Sequence, residues 1–238
     1  MVLSMQDVVA GYHAHDRVLY HVSLQVQPGR VTVVLGPNGS GKSTVLRVLA
    51  GFLSIREGEV LLGDEPIAGL AARERIERGL SLLPQGRSVF PGLTVEENLR
   101  LGAWLLRDDR ERMNAAVDAT FERYPKLVPL RRRQADSLSG GQARLLEFGR
   151  SLILDPSVLL IDEPSVGLAP VLVDDIYEEI ARLKAEGRTI LLVDQNVRAA
   201  VSVADYIYTL TYGSNHLDGA VGEFTGSLDG LIKQWLSL

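Results

Sequence analysis

The chain has 238 residues, 46% of them hydrophobic, with 25 basic residues against 30 acidic ones, a formal charge of −5 and no cysteine. That length supports one large α/β domain with a substantial core. The lack of cysteine excludes a disulfide scaffold, a cysteine-ligated zinc site and a thiol nucleophile. The acidic balance argues against a nucleic-acid-binding surface, apart from a local patch at the arginine run 131–133; no uncharged stretch exceeds about a dozen residues and residues 1–11 lack a secretory pattern, so a cytoplasmic chain without a membrane span is expected.

Residues 3–9 and 18–26 read as strands joined by a polar turn and closed by Pro28 and Gly29, an antiparallel edge layer. Residues 31–35, 157–161 and 189–193 have the near-continuous apolar character of strands covered on both faces, and they alternate with helix-period segments. The pattern predicts a mostly parallel α/β sheet.

The first of these strands runs into Gly36, Pro37, Asn38, Gly39, Ser40, Gly41, Lys42, Ser43 and Thr44, followed by a helix over 44–50. This is the spacing of a phosphate-binding P-loop in the context it requires. The glycines let successive N–H groups turn inward as a nest for phosphate oxygens, and the helix start adds its positive end. Lys42 is placed for the β and γ phosphates, and the Ser43 hydroxyl for Mg²⁺. A strand over 80–83 precedes Gln85, and the stretch from Ser88 to about Leu154 reads as a helical insertion, with helices over 94–106 and 108–124 and the arginine run after Pro125. The insertion closes on Leu138, Ser139, Gly140, Gly141 and Gln142 and a helix over 143–154. Ser139 and Gln142 have capping-box spacing, so the helix start is an anion site, and Gly140 and Gly141 allow close approach of a phosphate.

The strand at 157–161 ends in Asp162 and Glu163, adjacent carboxylates that packing does not call for. Asp162 can hold Mg²⁺ through its water shell, and Glu163 can polarise the water that attacks a γ-phosphate. The strand at 189–193 ends in Asp194, Gln195 and Asn196. The last 25 or so residues, from Tyr212, are rich in Gly, Ser and Asp and contain an apolar helix near 228–236. The tail beyond Leu210 reads as atypical, without a regular strand.

With the P-loop and the Asp162–Glu163 strand end, the segment at 138–142 resembles the signature of the ATP-binding-cassette (ABC) ATPases, to about Leu210. The resemblance implies a single nucleotide-binding domain over 1–238. Its P-loop NTPase core would lie over 1–87 and 155–238, carrying the N-terminal antiparallel β layer, with an inserted helical subdomain over 88–154. It implies ATP and Mg²⁺ as ligands and a head-to-tail cassette dimer, homomeric or heteromeric. In that dimer Ser139, Gly140, Gly141 and Gln142 would serve the partner's ATP. By the same resemblance Tyr12 stacks on adenine, Gln85 reaches Mg²⁺ and the attacking water, and Phe90 borders the surface that receives membrane subunits.

Two positions depart from the usual pattern. Gln195 stands where a switch histidine is expected; an amide can donate to the γ-phosphate but cannot take up a proton near neutral pH. Ala169 stands where the loop after Glu163 usually ends in aspartate. Both traits, with the stretches 86–99 and 163–170, resemble the smaller ATPase subunit of bacterial branched-chain amino acid importers. An importer ATPase implies two membrane-spanning permease subunits, indirectly a solute-binding protein, no nucleic acid, and a place on the inner face of the cell membrane. A urea or short-chain amide importer and a nucleotide switch with little hydrolysis are the alternatives.

Overall fold

The computed structural model describes residues 1–13 and 15–224. β1 (Leu3–Ala10) and β2 (Leu19–Val26) form an antiparallel ribbon with Leu3 opposite Val26. β3 (Val31–Leu35) leads into α1 (Lys42–Leu49), and β4 (Ile55–Leu62) and β5 (Glu65–Pro66) return to the ribbon, making a four-stranded sheet in the order β2-β1-β4-β5. After α2 (Ala72–Glu77) comes β6 (Leu80–Leu83), then α3 (Val95–Gly102), α4 (Arg110–Arg123) and α5 (Gly140–Leu152). β7 (Val158–Asp162), α6 (Pro170–Ala185), β8 (Thr189–Val193), α7 (Val197–Val203), β9 (Tyr206–Thr211) and β10 (Ser214–Ala220) complete a second sheet in the order β10-β9-β3-β8-β7-β6. All its pairings are parallel except that of β10 with β9.

Each fully buried strand of the second sheet divides its side chains between two cores, as a period of two requires. Val31, Val33, Leu35, Leu159, Ile161, Ile190 and Leu192 pack with residues of α3 to α7. Val34, Val158, Leu160, Leu191 and Val193 pack with α1 and the antiparallel sheet. At about 1.5–3 kcal/mol per buried Val, Leu or Ile, this two-sided burial is why β3, β7 and β8 read as unbroken apolar runs. α1 is thus clamped between the sheets, and β3, β7 and β8 end on one side of the molecule with their C-terminal residues side by side.

The buried guanidinium of Arg75, in α2, is 2% exposed and donates to the carbonyls of Val48 and Leu49 at 2.6 and 2.8 Å and to those of Ala68 and Leu70 at 3.0 and 3.1 Å. It satisfies the C-terminal end of the P-loop helix with a fork that lysine cannot reproduce. Arg75→Leu removes the side-chain donor from all four carbonyls, of which only that of Val48 keeps a backbone donor, the Gly51 N–H, and we expect a loss of about 3 kcal/mol. Urea unfolding should show this as a lower midpoint at unchanged m; a midpoint equal to the parent's would refute it.

Several boundaries move for identifiable reasons. α1 begins at Lys42 rather than Thr44, and α5 at Gly140 rather than 143, because Ser139 is itself the cap. The helix read over 94–106 stops at Gly102, with a separate 3-10 turn over Trp104–Leu106. A Cβ at Gly102 would lie 2.5 Å from Cγ of Arg150. α4 runs over Arg110–Arg123, capped by Asp109. The arginine run is not a bare patch, since Arg131 pairs with Glu96 and Asp118 at 2.7 and 3.3 Å and lies over the Phe121 ring. Arg131, then Arg100, hold the Glu96 carboxyl down at about 2.

The reading of an atypical tail is corrected. Tyr212 and Gly213 turn with φ of 48° and 79°, and β10 follows as a strand antiparallel to β9, with one register shift between Asn215 and Asp218. Only glycine fits at 213, where a Cβ would lie 2.0 Å from the Val18 carbonyl oxygen. β10 is an edge strand and mostly exposed, so its residues show no apolar alternation. Asn215 on it receives the Ser23 N–H and donates to the Ser23 carbonyl, joining the two sheets. The helix read near 228–236 lies outside the described residues.

Candidate functional site

Lys42, Ser43, Gln85, Glu163 and Gln195 line one cavity of 360 Å³ with Asn38, Gly39, Gly41 and Thr44. β3, β6, β7 and β8 deliver these groups from their C-terminal ends, the usual ligand crevice of an open α/β sheet. Gly36 is buried, and a Cβ there would lie 2.4 Å from the Leu210 carbonyl oxygen and 2.6 Å from Ser40 Oγ. Gly41 caps α1 at φ +100° with no side chain in the role. The helix start therefore offers its backbone donors to an anion.

Lys42 is 4% exposed, and its Nζ donates to the carbonyls of Gly36 and Pro37 at 2.9 and 3.0 Å, with Glu163 Oε1 at 3.8 Å. Burial lowers the Lys42 pKa, while Glu163, Asp162 and Asp194 oppose the shift. Burial likewise raises Asp162, against the Ser43 hydrogen bond, and raises Glu163, against the nearby Lys42. Glu163 has φ +40°, a costly conformation for a non-glycine residue, held by its N–H to the Val193 carbonyl at 2.8 Å. Gln85 Nε2 donates to Glu163 Oε2 at 2.7 Å. The Gln195 side chain is exposed toward the same cavity.

The Ser43 hydroxyl donates to Asp162 Oδ1 at 3.1 Å. These are hard oxygen donors beside a phosphate cradle, the set that suits Mg²⁺ when phosphates supply its remaining ligands. Tyr12, 44% exposed, is joined through its hydroxyl to Thr44 Oγ1 at 3.2 Å, and the Arg47 guanidinium lies 5.5 Å from its ring centre. The ring is thus tethered to α1, the helix that follows the cradle, though it is not among the residues that line the cavity.

Ser139, Gly141 and Gln142 do not line this cavity but a separate one of 530 Å³, with Leu172 and Arg182 of α6. Ser139 Oγ accepts the Gln142 N–H at 3.4 Å and Gln142 Oε1 accepts the Ser139 N–H at 3.1 Å, a complete capping box. A Cβ at Gly141 would lie 3.0 Å from Leu172 Cδ2. A side chain at Gly141 would meet only the flexible end of Leu172 of α6, which would have to give by a few tenths of an ångström. Ala169 caps α6 without a side-chain hydrogen bond.

Sequence reading passed over a buried clamp on the Gln85 loop. Arg144 donates to Glu147 at 2.8 Å and to the Pro84 and Gly86 carbonyls at 3.4 and 3.3 Å, Glu147 accepts the Ser88 N–H, and Arg150 donates to the Ser88 hydroxyl at 2.9 Å. All three residues lie on α5, so the signature helix and the Gln85 loop are tied together. Arg144 and Glu147 fall among apolar residues at core spacing, and only their pairing across one helical turn signals the role.

Parallel strands that bring a helix start, one lysine and one carboxylate to a single cavity, with a second carboxylate hydrogen-bonded to the serine that lines it, define the P-loop nucleotide-binding class. The chain belongs to the ABC transporter family, whose model matches residues 19–166; it is an ATP-binding ATPase subunit of that family. It is 37% identical over 207 residues to the high-affinity branched-chain amino acid transport ATP-binding protein BraG of Pseudomonas aeruginosa, covering 87% of this chain and 88% of the relative. It is also 35% identical over 199 residues to the lipopolysaccharide export system ATP-binding protein LptB of Escherichia coli, covering 83% and 82%. Its fold matches the ADP conformation of MJ1267, an ATP-binding cassette of an ABC transporter, with a TM-score of 0.86 and 30% identity over 99% of this chain and 98% of that one. Among the described residues no helix is long and apolar enough to cross a membrane.

Proposed function

We propose that this chain powers an importer of branched-chain or related hydrophobic amino acids, hydrolysing MgATP at the interface of a cassette dimer, homomeric or heteromeric, on the inner face of the cell membrane. The observation that carries the dimer is the separation of the signature from the phosphate cradle: the capped start of α5 opens on a different cavity from Lys42. One chain therefore holds two half-sites, and a second cassette completes each.

In this reading the backbone of residues 36–44 and Lys42 bind the phosphates and Tyr12 stacks on adenine. Ser43, Asp162 and Gln85 hold Mg²⁺, which neutralises phosphate charge when bound. Glu163 takes a proton from the attacking water, and Gln195 donates its amide to the γ-phosphate. Ser139, Gly140, Gly141 and Gln142 address the partner's ATP.

Two permease subunits, fed by a solute-binding protein, would dock at a third cavity, of 580 Å³, whose lining includes Phe52, Ile76, Phe90 and Trp104. These side chains are 64%, 40%, 48% and 57% exposed, a cluster of apolar surface that asks for cover. The kinship with BraG favours import of branched-chain amino acids; the kinship with LptB favours export as the second reading.

The test is the whole complex, purified from membranes through a tag on this chain and reconstituted with its solute-binding protein in vesicles, MgATP on the cassette side. Accumulation of labelled leucine on that side supports the proposal. ATP-driven extrusion favours export, and accumulation of urea alone moves the solute to short amides. Phe52→Ser with Trp104→Ser should lose the permeases on purification while the isolated chain keeps its ATPase rate; permeases retained at the parental ratio would remove the docking surface.

A further inference from the structure

Asp194 is fully buried, yet no role in binding phosphate or metal falls to it. Its Oδ2 accepts the Tyr177 hydroxyl at 2.6 Å and the Ser165 hydroxyl at 3.4 Å, and its Oδ1 accepts the Asn196 N–H at 2.8 Å. Tyr177, 6% exposed, lies on α6, and burial together with the Asp194 charge raises its pKa, so the hydroxyl stays a donor. Ser165 belongs to the loop that joins Glu163 to α6. Asn196, on the other side of Gln195, caps α7 by accepting the Ala199 N–H at 3.3 Å. Gln195 thus stands between two anchored neighbours with its own side chain exposed, so its aim is set by how Asp194 is held.

We infer that Tyr177 and Asp194 are positioning residues for hydrolysis: they fix Gln195 toward the γ-phosphate and tie its placement to the Ser165 loop and α6. This rests on the reading that Gln195 contacts the γ-phosphate. The first turn of α6 is open, with Val171 74% exposed. Ser165 and Tyr177 are the two ends of that loop-and-helix unit that touch Asp194. A shift of the unit therefore moves the carboxylate, and with it the backbone of the next residue. A buried carboxylate with three donors transmits such a shift because losing any one donor is costly.

The experiment measures kcat and KM for ATP, with the melting temperature, on the full chain with its cassette partner. Tyr177→Phe should lower kcat about tenfold while KM stays within twofold. Asp194→Glu combined with Tyr177→Phe should recover at least half of the loss, because one added C–C bond, about 1.5 Å, carries the carboxylate toward Ser165. In a Gln195→Ala background, Tyr177→Phe should have no further effect on kcat, the non-additivity of residues acting through one group. Should Tyr177→Phe not fold, Ser165→Ala takes its place, with a smaller fall in kcat at unchanged melting temperature.

Three results overturn the inference: parental kcat in Tyr177→Phe or Ser165→Ala, whatever the melting temperature; a double variant with Gln195→Ala whose losses multiply; or no recovery with Asp194→Glu. Parental kcat in Gln195→Ala removes the switch reading itself and this inference with it. A slow Gln195→Ala beside a fast Tyr177→Phe removes this inference alone.

Discussion

Glu163→Gln is expected to lower kcat by about 10²- to 10⁴-fold while ATP still binds, because it removes a positioned base and keeps the shape of the site. Single-turnover assays with radiolabelled ATP should show nucleotide retained uncleaved, and size exclusion in ATP should show an enlarged dimer fraction. A variant that turns over at the parental rate would take the base role from Glu163. The raised pKa adds a second readout. Burial favours the protonated form, so the acid limb of kcat/KM, which reports the nucleotide-free enzyme, should lie above the ordinary glutamate value of 4.5. The same shift has a stability sign. Above the folded-state pKa the charged Glu163 destabilises the native chain; below 4.5, folded and unfolded states are both protonated and the cost vanishes. Glu163→Gln should therefore melt higher than the parent at neutral pH, with the difference fading as the pH falls toward 4.5.

Lys42→Ala is expected to weaken ATP binding by at least 100-fold. The parent at 100 times its Kd should gain about 2.7 kcal/mol of stability from nucleotide, and the variant almost none. Thermal melts with and without ATP read this directly; an undiminished ATP-induced shift would contradict it. Lys42→Arg should not restore the shift, since a planar guanidinium cannot take the place of a compact ammonium in a buried loop. Without nucleotide the alanine variant should melt lower than the parent. It takes the Lys42 donor from the Gly36 carbonyl and from the Pro37 carbonyl, which keeps the Ser40 N–H, and removes the charge that opposes Asp162, Glu163 and Asp194.

How much of this could be read in advance varied with the kind of residue. β3, β7 and β8 were legible because both faces are buried and the side chains must be apolar at every position. The P-loop and the Asp162–Glu163 strand end were legible because phosphate chemistry prescribes residue types at fixed spacing. β10 was not: its Ser214–Ala220 run pairs on one side only and is mostly exposed, so main-chain hydrogen bonds and a single glycine turn define it. Nor was the link from Tyr177 to Asp194, 17 residues apart, since a tyrosine on an apolar helix face reads as core until its hydroxyl is located. The glycines of the signature were legible for a reason only half complete. They suit an anion site, but Gly141 also faces the Leu172 side chain of α6, which an added Cβ would crowd.

The embrace of Lys42 by the Gly36 and Pro37 carbonyls bears on the pace of the cycle as well as on affinity. The ammonium has two acceptors within its own loop, so a phosphate competes with these carbonyls for the same donor and gains only the difference. The exchange runs equally well in reverse. When phosphate leaves, the carbonyls reclaim the lysine at once, and no bare cation is left in a buried loop to hold the product back. The loop thus competes with phosphate for its own lysine, and part of what Lys42 contributes to binding is offset by the two carbonyls it must leave.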